Sequence, residues 1–146
     1  MSAMPRILII DDQPSIVSLL TKFCKAEKHH VDSALSGEVG LRLLRATLPD
    51  LVLVDLKLGD MTGLELMRTA KAEGCTSRFV FITGHGEVRT AVEAIKGGAS
   101  DYLTKPLDMG ELRRVIHDTM EERAQGTTNR KLILVYPKPQ AVLAAV

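Results

Sequence analysis

The 146-residue sequence contains no apolar run near the roughly 18 residues a membrane span requires, which excludes a simple membrane anchor within it. Its first residues, MSAMPRILII, carry neither the basic region nor the cleavage site of a signal peptide, so a cytoplasmic location is expected. Cysteine occurs only twice, at Cys24 and Cys75, in no metal-ligand spacing, which predicts free thiols and not a disulfide framework or a zinc site. Neither sign of charge prevails: 19 Lys and Arg stand against 18 Asp and Glu, for a net charge of +1. That balance excludes a global attraction to nucleic acid or anionic lipid, so any partner must be recognised locally. No phosphate-binding P-loop follows the first apolar run. GHGEVR, at 84–89, begins like a dinucleotide fingerprint but lacks the third glycine and follows the fourth apolar run. Aromatic residues number only five, so any one of them near polar chemistry competes with a plain core role.

What remains is ordinary for one globular domain with a real core: 45% hydrophobic and 25% charged residues. Short apolar runs alternate with helical patterns. RILII (6–10) reads as a strand, followed by Ile16, Leu19, Leu20 and Phe23 at helical spacing after Pro14. HHVDSAL (29–35) reads as a weaker strand, with a helix from Gly37 to about Thr47 after it. LVLVD (51–55) and RFVFIT (78–83) are the third and fourth strands, and Gly97-Gly98 stops the helix after the latter. DYLTKP (101–106) is the fifth, and Leu112, Val115, Ile116 and Met120 mark the last helix. Five such units predict an α/β fold, a doubly wound five-stranded parallel sheet with helices on both faces.

In an open parallel sheet, ligands bind beyond the carboxyl ends of the strands where strand order reverses. Asp11 and Asp12 follow the first strand, Asp55 ends the third, Thr83 ends the fourth, and Lys105 closes the fifth. Three carboxylates close together repel one another unless a cation sits among them, and a hard divalent ion such as Mg²⁺ suits carboxylate, carbonyl and phosphate oxygens. Lys105 and Thr83 suit a phosphoryl group better than a metal: one offers a mobile positive charge, the other a hydroxyl donor. Asp55 is then the candidate nucleophile, able to form an acyl phosphate. Each residue has a plainer reading. The acidic pair could cap a helix, Asp55 could cap a turn, Thr83 could satisfy a backbone group, Lys105 could be a solvated charge, and Tyr102 could be core.

Taken in order, Asp11-Asp12, Asp55, Thr83 and Lys105-Pro106 resemble the signature of the receiver domains of two-component response regulators. The resemblance covers residues 4–124, and FITGHGEVRTAVEAIKGGASDYLTKPLDMGEL resembles the nitrogen-regulatory type, whose receivers are often joined to an ATPase that activates transcription. It implies a flavodoxin-like receiver fold and a phosphorylation-activated switch, not an enzyme with turnover. Asp55 would take a phosphoryl group from a sensor histidine kinase. Mg²⁺ would be held by Asp12 directly, by Asp11 through water, by Asp55 and by the backbone carbonyl of Lys57. Lys105 would bind phosphoryl oxygen, Thr83 and Tyr102 would form the switch pair, and the Lys105-Pro106 bond would be cis. The face of the fourth helix, fifth strand and fifth helix would be the output surface and support a homodimer. No direct binding of nucleic acid or membrane by this segment is implied.

Two departures from the family pattern stand out. Where many receivers have Met-Pro, this chain has Leu58-Gly59-Asp60, which exchanges a φ-fixing residue for a permissive one and predicts a looser loop. Lys57 puts a cation two residues past the acceptor, and His85 lies two past Thr83; their positions make them candidates for setting the lifetime of the acyl phosphate. Lys57 also tells against a metal-dependent phosphohydrolase, which would want a carboxylate at that place. A receiver-like interaction module that works without phosphate would be expected to have lost one of the signature residues, and none is lost. Residues 125–146 read as a linker or tail in which KLILVY has strand character, expected to be either disordered or covered.

Overall fold

The computed structural model describes residues 4–84 and 86–125, with side chains through residue 121. Five strands, β1 (Arg6–Ile10), β2 (His30–Ala34), β3 (Leu51–Asp55), β4 (Arg78–Thr83) and β5 (Asp101–Thr104), form one sheet in the order β2-β1-β3-β4-β5. Every neighbouring pair is parallel. The helices are α1 (Pro14–Ala26), α2 (Gly37–Thr47), α3 (Gly63–Ala72), α4 (Val88–Lys96) and α5 (Met109–Gln125). The expected architecture is therefore present. Residues 126–146, and with them the expectation of an extra strand, lie outside the described residues.

Apolar runs predict strands with two buried faces, and the packing shows how each face is used. Ile7 and Ile9 point to one side of β1, and Leu8 and Ile10 to the other, because side chains alternate along a strand. The same division runs through β3 and β4. On one side, Val52, Val54, Phe79 and Phe81 pack with Leu41, Leu44, Leu66, Met67, Ala91 and Ala94 from α2, α3 and α4. On the other, Leu51, Leu53, Val80 and Ile82 pack with Leu20 and Cys24 of α1 and Leu112, Val115 and Ile116 of α5. Two cores share one sheet, and they fix its central strands from both sides.

Element ends depart from the sequence reading where local hydrogen bonding intervenes. β2 begins at His30 and not at residue 29, because Lys28 adopts a left-handed φ of 70° and the His29 amide closes α1 by donating to the Cys24 carbonyl. At its other end Ser36 caps α2, its side chain accepting from the Val39 amide at 3.2 Å. β5 stops at Thr104 although Lys105 still donates to the Thr83 carbonyl at 2.8 Å; Pro106 has no N–H with which to continue the ladder.

One close approach anchors the helix beyond β3. A Cβ on Gly63 would fall 2.3 Å from the Asp55 carbonyl oxygen and 2.9 Å from Phe81 Cε1, so only glycine lets α3 start this near the end of β3. The Gly63 amide donates to the Leu56 carbonyl at 2.8 Å, and a capping box joins Thr62 and Glu65.

Two outcomes are expected. Gly63→Ala should cost about 1–3 kcal/mol in chemical denaturation, since backbone and not a flexible side chain must yield. Burial pushes the Cys24 thiol up to about 12, whereas Cys75 is partly exposed. A thiol reagent near neutral pH should therefore modify Cys75 alone in the folded chain and both cysteines after unfolding, as mass spectrometry would read.

Candidate functional site

The strand order reverses between β1 and β3, and the candidate residues meet at the carboxyl end of that junction. Asp11 follows β1 and is fully buried, while Asp12 beside it is exposed. Asp55 ends β3 with only a small part of its surface open. One carboxylate oxygen from each of the three lies within 4.8 Å of the others. Gln13, not either aspartate, stands at the N-cap of α1 and makes no side-chain cap. The capping reading of the acidic pair therefore fails.

Lys105 enters this cluster from β5. Its Nζ lies 3.0 Å from Asp55 Oδ2 and 3.4 Å from Asp11 Oδ2, and it also donates to Gln13 Oε1. The Lys105-Pro106 peptide bond is cis, as the resemblance implied. Burial works against the ammonium, but the hydrogen bond and charge of Asp55, with Asp11 behind it, outweigh that cost and raise its pKa above the ordinary lysine value. Asp55 Oδ1 accepts from the Lys57 amide at 3.1 Å, so both oxygens of this carboxylate are engaged.

Asp11 is the strained member. Its Oδ1 accepts from the Gln13 amide at 2.9 Å, whereas its buried Oδ2 makes no hydrogen bond among the described residues and lies 3.4 Å from the Lys105 ammonium. Burial raises its pKa above the ordinary 3.8, with the charge of Asp55 adding to the effect; the Gln13 hydrogen bond and Lys105 oppose it. Two of the three clustered carboxylates pair with one ammonium, and one buried oxygen lacks a hydrogen-bond donor among the described residues. That arrangement fits an oxygen-seeking divalent cation.

Thr83 ends β4, fully buried, in register with Thr104, and its hydroxyl donates to the Gly84 carbonyl at 3.3 Å. Asp55 itself is in register with Ile82, which puts Thr83 one residue further along the neighbouring strand. Tyr102 is half buried on β5, in register with Phe81, and packs on the α2-α3-α4 side of the sheet. Burial raises its pKa. His85 falls outside the described residues.

The loop after Asp55 is not loose, contrary to the expectation from its missing proline. Asp60 accepts from the Gly37 and Glu38 amides at 2.9 and 3.0 Å, capping the start of α2, and these hydrogen bonds lower its pKa. The Leu58 amide donates to the Met61 carbonyl, and Leu56 and Leu58 are buried. Gly59, at φ 86°, supplies the left-handed turn that makes this closure possible. The Lys57 ammonium does not turn to Asp55 either; it pairs with Glu87 Oε2 at 2.8 Å. Sequence reasoning had not singled out Gln13, Asp60 or Glu87. Gln13 at least stood next to the acidic pair.

Comparison with known proteins agrees with this geometry. Residues 7–117 match the family model described as "Response regulator receiver domain". The chain belongs to that family. It is 34% identical over 124 residues to the transcriptional regulatory protein GlrR of Escherichia coli, covering 85% of this chain and 28% of that protein. It is 31% identical over 121 residues to the regulatory protein AtoC of the same species, covering 83% of this chain and 26% of that one. The receiver thus spans about a quarter of the length of these relatives. Among solved structures, the receiver domain of NtrX from Brucella abortus superposes with a TM-score of 0.75 at 32% identity, covering 79% of this chain and 98% of that one. A receiver domain protein from Clostridium thermocellum gives a TM-score of 0.80 at 27% identity, covering 85% and 100%. The NtrX likeness accords with the nitrogen-regulatory type read from the sequence. Receivers are regulatory domains, and among the described residues no helix is long and apolar enough to cross a membrane.

A buried carboxyl with a raised pKa lowers stability once the pH exceeds its unfolded value. With a chelator present, wild type should therefore lose stability relative to Asp11→Asn as the pH rises from about 4 to 7, followed by thermal unfolding. Adding a divalent cation should reverse the order by stabilising the wild type more than the variant.

Proposed function

We propose that the chain, over residues 4–124, is a switch set by phosphorylation of Asp55, with a sensor histidine kinase as donor and Mg²⁺ as cofactor. The observation that carries the reading is the pairing of a donorless buried oxygen, Asp11 Oδ2, with an acceptor carboxylate already held by Lys105 and the Lys57 amide. Asp11, Asp12, Asp55 and the backbone carbonyl of Lys57 would hold the cation. Bound there, Mg²⁺ supplies neutralisation of the negative charge that gathers when phosphate meets three carboxylates.

The chain's own groups do the rest. An Asp55 carboxylate oxygen forms the new P–O bond as the P–N bond to the donor histidine breaks, and the bonding pair leaves on the imidazole nitrogen. The Lys57 amide and the Lys105 ammonium fix the carboxylate so that attack needs little reorganisation. Lys105 then keeps contact with a phosphoryl oxygen. The Thr83 hydroxyl, held among the described residues by a long bond to the Gly84 carbonyl, can exchange that partner for another phosphoryl oxygen. Movement of Thr83 frees room into which Tyr102, on the adjoining strand, turns inward.

The result is a population shift with a readout on α4, β5 and α5. That face is the proposed surface for a homodimer or for an output domain that regulates transcription, a role suggested by the names of the relatives. The receiver itself binds neither nucleic acid nor membrane in this reading, acts in the cytoplasm, and turns over no exogenous substrate. Lys57 and His85 are proposed to set the lifetime of the acyl phosphate, and equal dephosphorylation rates in wild type, Lys57→Ala and His85→Ala would remove that assignment.

Intact mass after incubation with Mg²⁺ and acetyl phosphate tests the main reading. One phosphoryl group should appear on the wild type and none on Asp55→Asn, and chelation should abolish the adduct. No adduct on the wild type despite bound Mg²⁺ would overturn the reading in favour of a module that works without phosphate.

A further inference from the structure

The Lys57–Glu87 ion pair joins the loop that carries the acceptor to the start of α4, and the phosphorylation chemistry described above makes no use of Glu87. Lys57 is tied to Asp55 through its main chain, since its amide donates to Asp55 Oδ1. Its side chain is 73% exposed, whereas Glu87 is the more enclosed partner at 27%. Glu87 is also the N-cap residue of α4: its carbonyl accepts from the Ala91 amide at 3.1 Å, and its own amide donates to the Gly84 carbonyl at 3.2 Å.

What α4 lacks gives the pair its meaning. α2 is capped by the side chains of Ser36 and Asp60, and α3 by the Thr62–Glu65 box. α4 has no side-chain cap and no acidic residue in its first turn, although a carboxylate stands at its N-cap position. That carboxylate is occupied by Lys57. The start of α4 is therefore held by a residue of the acceptor loop and not by a cap of its own.

We propose that this ion pair is a latch: phosphorylation of Asp55 draws the Lys57 ammonium from Glu87 to the phosphoryl oxygens and so releases the N-terminus of α4. The inference rests on the receiver reading. Before phosphorylation, the ammonium of Lys105 and a bound dication balance the three carboxylates. An acyl phosphate carries roughly 1.5 to 2 negative charges in place of the single charge of the Asp55 carboxylate, so a site thus neutralised gains about 0.5 to 1 negative charge. The excess favours a further cation, and Lys57 is the one whose backbone already touches Asp55. Glu87 competes for it with a single charge, in a pair exposed enough to solvent to be weak. Glu87 is thus a positioning residue: in the resting chain it keeps the ammonium away from the acceptor.

Hydrogen exchange at the Ala91 amide, which donates to Glu87, reads the latch directly in the Mg²⁺-bound chain with and without acetyl phosphate. In the resting state, Lys57→Met and Glu87→Gln should each exchange about two- to fivefold faster than wild type at Ala91. The reversed pair, Lys57→Glu with Glu87→Lys, should bring the rate back. Phosphorylation should raise the wild-type rate by a similar factor, raise that of Lys57→Met by less, and leave the reversed pair latched, because the new anion repels a glutamate at 57. Equal resting rates in wild type and both single variants would overturn the proposal. So would an equal rise on phosphorylation in wild type and Lys57→Met. Intact mass of the same samples separates the two levels: resting differences in a chain that takes no phosphoryl group would overturn the receiver reading and the release step, and leave the ion pair purely structural.

Discussion

Charge imbalance at the end of two neighbouring strands is the constraint on which the rest of the structure depends. Asp11 and Asp55 are brought together because β1 and β3 are adjacent in a sheet whose order reverses there, and Asp12 joins them from the next position. Lys105, distant along the chain, pairs with Asp11 and Asp55. Such a cluster is held against its own repulsion by the two cores that grip the sheet. Both helical layers, the glycine that brings α3 close and the cap that pins the loop after Asp55 serve to hold these groups where repulsion would otherwise move them.

The fold was legible because its signals are local and redundant. LVLVD and RFVFI are apolar throughout, as strands covered on both faces must be, and each is followed by helical spacing. The site was legible for a related reason: polar residues directly after such strands have a single rim to occupy, so sequence order alone gathered Asp11, Asp12, Asp55, Thr83 and Lys105. Ends such as His29 and Lys105-Pro106 were less clear, since a left-handed residue and a missing N–H decided them.

What escaped the sequence were choices of partner among side chains distant along the chain. Nothing in Leu58-Gly59-Asp60 announces that its aspartate caps a helix 23 residues upstream, and that bond turned an expectation of looseness into an anchored loop. Likewise Lys57 had two anions within reach. Its backbone went to Asp55 and its ammonium to Glu87, a division that periodicity and motif spacing do not encode.

The fully buried residues of α4 are Ala91 and Ala94, with Ile95 packed partly buried beside them, where α3 presents Leu66 and Met67 and α5 presents Leu112, Val115 and Ile116. Truncating a buried leucine or methionine to alanine usually costs about 2–5 kcal/mol, so α4 is seated on the sheet by much less apolar surface than its neighbours. A helix so lightly keyed can slide or turn with less void opened than its neighbours would leave, since only Ile95 among its core-facing side chains is large. The helix beside the chemistry is thus the one with the smallest fully buried side chains holding it to the sheet.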